Sequence, residues 1–428
     1  MRYIITTLGC KVNQYETQAM ETLLRERGHE PAREGERADI VIVNSCAVTA
    51  ESGRKSRQAL RRLAERSPGA VRAVCGCWAQ TEPGAAEALG ADIVWGSGDR
   101  RGFVEAAERA VLEGVFTSSV DKPFERRVIE DLPAGAFSGH ARAYLKLEDG
   151  CQNFCSYCVI PYARGRVRSL PPERAAEKAA GLAASGYREL VLTGIEIASY
   201  GADLPGTPGL AEAVETISRA APELRLRLGS LEPTVVTEEF CARLAALGRV
   251  CGHFHLSLQS GSDGVLARMR RKYGTAEFFA VTERLRRHFP GCGLTADLIA
   301  GFPGETEAEH RETLAFLERC AFSQVHVFPY SRRPGTPAAS MPGQLSAAEK
   351  ARRAHEAQSV ADGTRAEYLR SCVGRTLEVL FETESGGLST GHASNYVEVS
   401  VPGTGLRGLV KNVQISGVSG EMLVGAAI

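Results

Sequence analysis

The stretch Ala143-Tyr-Leu-Lys-Leu147-Glu-Asp-Gly150-Cys151-Gln-Asn-Phe-Cys155-Ser-Tyr157-Cys158 decides how this chain reads. Its first five residues form a strand signal, and Gly150 marks a turn after them. Three thiols then recur with Cys-x3-Cys-x2-Cys spacing. Three thiolates leave one corner of a four-iron cluster without a protein ligand. An open position is what a catalytic metal centre needs and what a structural one avoids. The competing reading is a structural zinc knuckle. It calls for paired Cys-x2-Cys units and a fourth ligand, and none is near in sequence.

Outward from this stretch, strand and helix signals alternate. Candidate strands are Ala143–Leu147, Leu190–Thr193, Leu224–Leu228, Phe254–Leu258, Leu294–Ile299 and Val325–Phe328, with helix patterns such as Pro172–Ser185 and Glu305–Cys320 between them. That makes six β/α units where a full barrel has about eight, so an open partial (β/α)6 TIM barrel is expected over 140–370, with a trailing helix near Ser346–Ser371. Residues 1–120 alternate in the same way. The run Asp39-Ile-Val-Ile-Val-Asn44 is apolar enough to be buried on both faces, which predicts a doubly wound, flavodoxin-like parallel sheet. Residues 121–139, with Pro123, Pro133, Gly135 and Gly139, read as a linker. From 371 to 428 the pattern switches to period two with frequent glycines, the mark of a small OB-like antiparallel β-barrel.

Bulk properties narrow the class. Lys+Arg and Asp+Glu both number 51, so there is no global electrostatic case for nucleic acid, and any such case rests on local patches. Twelve cysteines in a chain without an apolar run near ~18 residues or a signal-peptide core point to a cytoplasmic protein away from membranes, whose thiols serve metal or catalysis. Three more thiols, Cys10, Cys46 and Cys77, each follow a predicted N-terminal strand. A doubly wound sheet gathers the carboxyl ends of its strands, so these three can meet. Spacing alone leaves buried core cysteines as the alternative.

Short motifs close the successive barrel strands: Thr193-Gly194-Ile195-Glu196, then Ser230 and Glu232, then Gln259-Ser260-Gly261-Ser262, then Asp297 with Gly301-Phe302-Pro303-Gly304-Glu305. With Cys151, Cys155 and Cys158 they resemble the radical S-adenosylmethionine (SAM) family over residues 140–335. The resemblance implies SAM contacts at Thr193, Gly194, Glu196, Ser230, Glu232, Gln259, Ser260, Asp297 and Gly301, and shielding of the cluster by Tyr157. Further motifs are Gly9-Cys10-Lys-Val-Asn-Gln-Tyr-Glu-Thr17, Asn44-Ser-Cys46-Ala-Val-Thr49, Gly76-Cys77-Trp-Ala-Gln80 and His326-Val-Phe-Pro-Tyr-Ser331. These look like the methylthiotransferases. That family implies two [4Fe-4S] clusters, held by Cys10, Cys46, Cys77 and by Cys151, Cys155, Cys158, with SAM as both methyl donor and radical source. It also implies a C-terminal TRAM module and an electron donor such as flavodoxin or ferredoxin. Cys75 is extra to the pattern, and Glu196 stands where many relatives have histidine.

Three subfamilies share this plan, acting on N6-threonylcarbamoyladenosine in tRNA, on N6-isopentenyladenosine in tRNA, or on a ribosomal-protein aspartate. The Cys10–Thr17 motif, Phe254-His-Leu-Ser-Leu-Gln-Ser-Gly261 and Gly391-His-Ala-Ser-Asn-Tyr396 resemble the first. That implies methylthiolation at C2 of the adenine beside the anticodon, on the tRNA anticodon loop, by a chain read by default as a monomer. A non-catalytic iron–sulfur RNA-binding module is the rival from another class, and it would need no SAM motifs on successive strands. Basic runs at Arg54, Lys55, Arg57, Arg61 and Arg62, at Arg268, Arg270, Arg271 and Lys272, and at Arg332 and Arg333 can track phosphates. Tyr396 or Tyr330 can stack on a loop base, though a plain core tyrosine is the simpler reading of each. The terminal segment has three basic side chains against five acidic ones, a weak surface for RNA.

Overall fold

The computed structural model describes residues 1–134 and 141–428. Gly135 and Gly139 of the expected linker, and its end at 139, lie outside them. Five parallel strands open the chain: Arg2–Thr7, Glu30–Pro31, Ile40–Ser45, Val71–Gly76 and Ile93–Val94. Their spatial order is second, first, third, fourth, fifth. Ile40–Ser45 is buried at every position, because its Ile-Val-Ile-Val run is covered on both faces. Met20 and Leu24 of the helix Lys11–Glu26 and Phe103 of the helix Arg100–Glu113 share one core. Leu60 and Leu63 of the helix Ala50–Arg66 pack with Trp78 in the other. The two-residue strand Glu30–Pro31 has no sequence signature, and its proline sits where a strand edge tolerates one.

The middle of the chain builds six parallel strands in chain order: Arg142–Lys146, Glu189–Thr193, Arg225–Leu228, His253–Gln259, Gly293–Ala300 and Gln324–Pro329. The third resumes after Gly229 as Ser230–Leu231, which passes pairing from the second strand to the fourth. Arg142–Lys146 and Gln324–Pro329 are the edges of this crescent among the described residues. The helix Ala347–Cys372 packs on the second of these edges. Among the described residues no helix is long and apolar enough to cross a membrane.

Thr376–Ser385, Leu388–Ala393, Glu398–Pro402, Val410–Ser419 and Met422–Ala427 close into a small barrel. It plugs the crescent at the amino ends of the strands. There the buried Glu189 carboxylate accepts from Arg225 Nε at 2.7 Å and from Arg227 Nε at 2.8 Å. The same two arginines donate to the carbonyls of His392 and Ser394 in the small barrel at 2.9 and 3.0 Å. Tyr396, left-handed at φ 69°, stacks on His253 with centroids 4.5 Å apart, with Arg227 4.9 Å from its ring centre. This corrects one expectation: Tyr396 is a wedge between two barrels and is not free to stack on a base. Tyr330 is likewise core, 4% exposed and edge-on to Phe302.

Glu189→Gln leaves the buried arginines without their charge partner. It should lower stability by about 3 kcal/mol, read as a shift of the urea unfolding midpoint.

Candidate functional site

The first thiol trio is made by strand ends. Cys10 caps the helix Lys11–Glu26, Cys46 follows Ile40–Ser45, and Cys77 opens the short helix after Val71–Gly76. Two glycines permit the approach. Gly9 at φ +100° lies against Cys46, where a Cβ would meet Sγ at 2.6 Å. Gly76 at φ +96° lies equally close to the Ser45 backbone. Asn13 Nδ2 donates to the carbonyls of Leu8 at 2.7 Å and Ser45 at 3.0 Å, which ties the Cys10 turn to the Cys46 turn. Cys77 interacts electrostatically with Cys46 and Cys10, and burial pushes its thiol up to about 12. Cys75 points into the apolar core beneath the sheet, away from the trio.

The second trio follows the first barrel strand. Cys151, Cys155 and Cys158 share a loop whose Cys158 amide bonds the Cys155 carbonyl at 3.0 Å. Ser156 fastens this loop to the segment after the fourth strand, donating from its amide to Met269 and from its hydroxyl to Arg268. The run Arg268–Lys272 thus does structural duty. Arg271 is buried, donates to Cys155 Sγ at 3.0 Å, reaches the Tyr157 hydroxyl at 3.4 Å and pairs with Glu232 at 2.5 Å. Burial pushes Cys158 up to about 12 and Cys151 higher still. Arg333 is also buried and pairs with Glu82. The phosphate-tracking expectation therefore loses Arg271 and Arg333, while Arg54, Lys55, Arg61, Arg62, Arg270 and Arg332 remain exposed.

Around the second trio sit Tyr157, Thr193, Gly194, Glu196 and Glu232. Glu196 accepts from Ser199 Oγ at 2.5 Å and from Asn153 in the cysteine loop at 3.4 Å. Its amide donates to Glu148 Oε2 at 2.7 Å. Burial holds Glu148 well above the carboxylate range, and its Oε1 has no partner. Ser230 is exposed at the strand end, and Gln259 adopts φ 67°. Three further residues of the expected set have other neighbours. The Ser260 hydroxyl is buried against Thr313 of the outer helix Glu307–Cys320. Asp297 lies deeper in the lumen with His255 and His326. Gly301 packs against Lys350 of the trailing helix.

What joins the two trios was not legible in sequence. Arg164 lies six residues past Cys158 and is wholly buried. Its Nε donates to Cys77 Sγ at 3.1 Å and Nη2 to Asn13 Oδ1 at 2.8 Å, while Nη1 and Nη2 both grip Glu16. Glu16 also receives Lys146 Nζ at 3.0 Å and Arg100 Nη2 at 2.9 Å. Burial alone would raise the Glu16 carboxyl, but Arg164, Lys146 and Arg100 hold it well below its usual range. Asp149 likewise sits at about 2 against burial, held by Lys146, Arg164 and Arg168. The partners are 148 residues apart, so no local spacing betrays them. Only the position of Arg164 just after the cysteine loop offered a hint.

The donor sets discriminate between metals. Among the described residues only His255, Asp297 and His326 bring three ligand atoms within 4.8 Å of one another. Sulfurs sharing one zinc ion stand about 3.8 Å apart, given Zn–S bonds of about 2.3 Å. Neither cysteine trio brings all three of its sulfurs within 4.8 Å of one another, so neither forms a closed single-ion site.

The chain matches the Radical SAM superfamily over residues 146–317 and the uncharacterized protein family UPF0004 over residues 2–96. It is 40% identical to the threonylcarbamoyladenosine tRNA methylthiotransferase MtaB of Bacillus subtilis, over 93% of this chain and 90% of that protein. The chain belongs to the radical SAM methylthiotransferase family. The Thermotoga maritima protein of the same name is 36% identical over 98% of this chain and 95% of its own length. A Moorella thermoacetica tRNA-2-methylthio-N(6)-dimethylallyladenosine synthase is 35% identical over 89% and 87%. Among solved structures, the radical SAM methyltransferase TsrM of Kitasatospora setae superposes with a TM-score of 0.59 at 19% identity, covering 79% of this chain and 77% of that one, a likeness of fold.

Within this methylthiotransferase, Arg164→Ala leaves Glu16 and Asp149 short of a buried cation. Stability should fall by about 3–5 kcal/mol. Amide exchange should rise in the helix Lys11–Glu26 but not in the C-terminal barrel.

Proposed function

We propose that this protein is a tRNA N6-threonylcarbamoyladenosine C2 methylthiotransferase. It carries two [4Fe-4S] clusters, one on Cys10, Cys46 and Cys77 and one on Cys151, Cys155 and Cys158, and it uses SAM as methyl donor and radical source. One observation carries this reading: two three-thiol sets, neither of them a closed single-ion site, on units bound to each other through Arg164, Glu16 and Cys77. The MtaB proteins that it resembles over nearly its whole length support the substrate. On this reading residues 1–120 form a flavodoxin-like unit, supported by the 2-1-3-4-5 strand order. Residues 121–139 are the linker, 140–370 the SAM barrel with its trailing helix, and 371–428 a TRAM module. The anticodon loop is the target, flavodoxin or ferredoxin the electron donor, the cytoplasm the compartment and the monomer the working form.

When bound, the clusters would relay the donor's electron, and SAM would supply the radical and the methyl group. The protein's own work is placement. Arg271 directs a cationic donor at Cys155 while Glu232 anchors it, and Arg164 does the same at Cys77 with Glu16 as anchor. A charged donor to a thiolate sulfur stabilises the anion. Glu148, whose carboxyl burial raises well above its ordinary range, and the Glu196 amide form a polar floor beside Gly194, where a side chain would clash with Ile197 and Glu148. These groups and Thr193 are the candidates for the amino-acid end of SAM. Tyr157, packed beside the apolar cluster around Phe302, screens Cys158 from water.

After anaerobic reconstitution, Cys46→Ala and Cys155→Ala should each abolish methylthio product. Iron in the Cys10/Cys46/Cys77 triple alanine variant should fall from about eight to about four atoms per chain. A full complement in that variant contradicts the two-cluster assignment.

A further inference from the structure

In the crescent's lumen, His255, Asp297 and His326 stand on three adjacent strands, with Asp297 in register beside His326. Thr295 Oγ1 holds His255 Nδ1 at 2.9 Å and so aims Nε2 at Asp297 Oδ2, 3.3 Å away. Lys11 enters this space from the N-terminal unit. Its nearest charges are Arg227, Arg142, Glu189 and Asp297. Glu189 is already committed to the arginines and Asp297 to His255. Among the described residues Lys11 has no hydrogen bond or ion pair of its own, whereas the fully enclosed Lys146 has two carboxylates. Lys11 is partly buried, and both carboxylates acting on it are already engaged elsewhere, so an anion entering this lumen finds a cation ready to pair with it.

The His-Asp-His set has the spacing of a metal site, but Lys11 beside Asp297 and His326 disfavours a divalent cation there. A cation in that position suits an organic carboxylate. We propose that Lys11 and His326 bind the carboxylate of the substrate's N6-threonylcarbamoyl group, and that Asp297, held in place by His255, accepts from its hydroxyl. This rests on the threonylcarbamoyladenosine reading above. Lys11 is also the residue next to Cys10, so the pocket that reads the adenine's substituent adjoins the thiol trio of Cys10, Cys46 and Cys77. A neutral isopentenyl group leaves the Lys11 ammonium unpaired, and the enzyme discriminates against it for that reason.

The test uses the reconstituted holoenzyme and anticodon stem-loops carrying threonylcarbamoyladenosine, its methyl ester or isopentenyladenosine. Binding is read by fluorescence anisotropy and product by nucleoside mass spectrometry. Wild type should bind the acid about tenfold or more tighter than the ester. Lys11→Gln should erase that ratio, mainly through KM, at full iron content, and Lys11→Arg should keep it. A Lys11→Gln enzyme that still prefers the acid by the wild-type ratio overturns the pocket but leaves the substrate reading standing. So does a stoichiometric non-iron metal that is lost on His326→Ala. Wild type that converts the isopentenyl stem-loop and not the acid overturns the substrate reading and this proposal together.

Discussion

The structure depends on one buried guanidinium. Arg164 has no access to solvent, and its three nitrogens meet a carboxylate, an amide oxygen and a thiol, all from the N-terminal unit. Lys146, Arg100, Asp149 and Arg168 complete the charge balance around it. A charge cluster of this kind adds little net stability over apolar packing, but removing one member strands the others. Its value is therefore geometric. It admits one docking of the N-terminal sheet on the SAM barrel, the one that brings Cys77 to the segment just after Cys158.

A second cluster of the same design closes the opposite end. Glu189 gathers three arginines, and Tyr396 of the small barrel wedges between His253, His392 and Arg227. Between these two plugs the lumen carries His255, Asp297 and His326, with Lys11 acting on Asp297 from the N-terminal unit.

The strands were legible because their periodicity is local. The Asp39–Asn44 run and the six barrel strands lie within a residue or two of where apolar patterning puts them, and Gly386–Gly387 turns the hairpin that alternation implies. Cys151, Cys155 and Cys158 are legible through their spacing, whereas Cys10, Cys46 and Cys77 stand out only through the motifs around them, with Gly9 and Gly76 in the left-handed region beside two of these thiols. Charge partners were not. Glu16 reads as one polar residue on an amphipathic helix, and Arg164 as a helix-ending arginine; their contact spans two units. The same blindness hid the pairing of Arg271 with Glu232 and of Arg333 with Glu82, since nothing local records what a distant segment buries.

Methylthiolation of threonylcarbamoyladenosine by this protein is tested most directly by nucleoside mass spectrometry of tRNA from a strain lacking its gene, with and without the gene restored. In the deletion strain, 2-methylthio-N6-threonylcarbamoyladenosine should disappear and unmodified N6-threonylcarbamoyladenosine should accumulate in its place, and restoration should reverse both. Unchanged threonylcarbamoyl species alongside loss of the methylthio group from isopentenyladenosine would contradict that assignment.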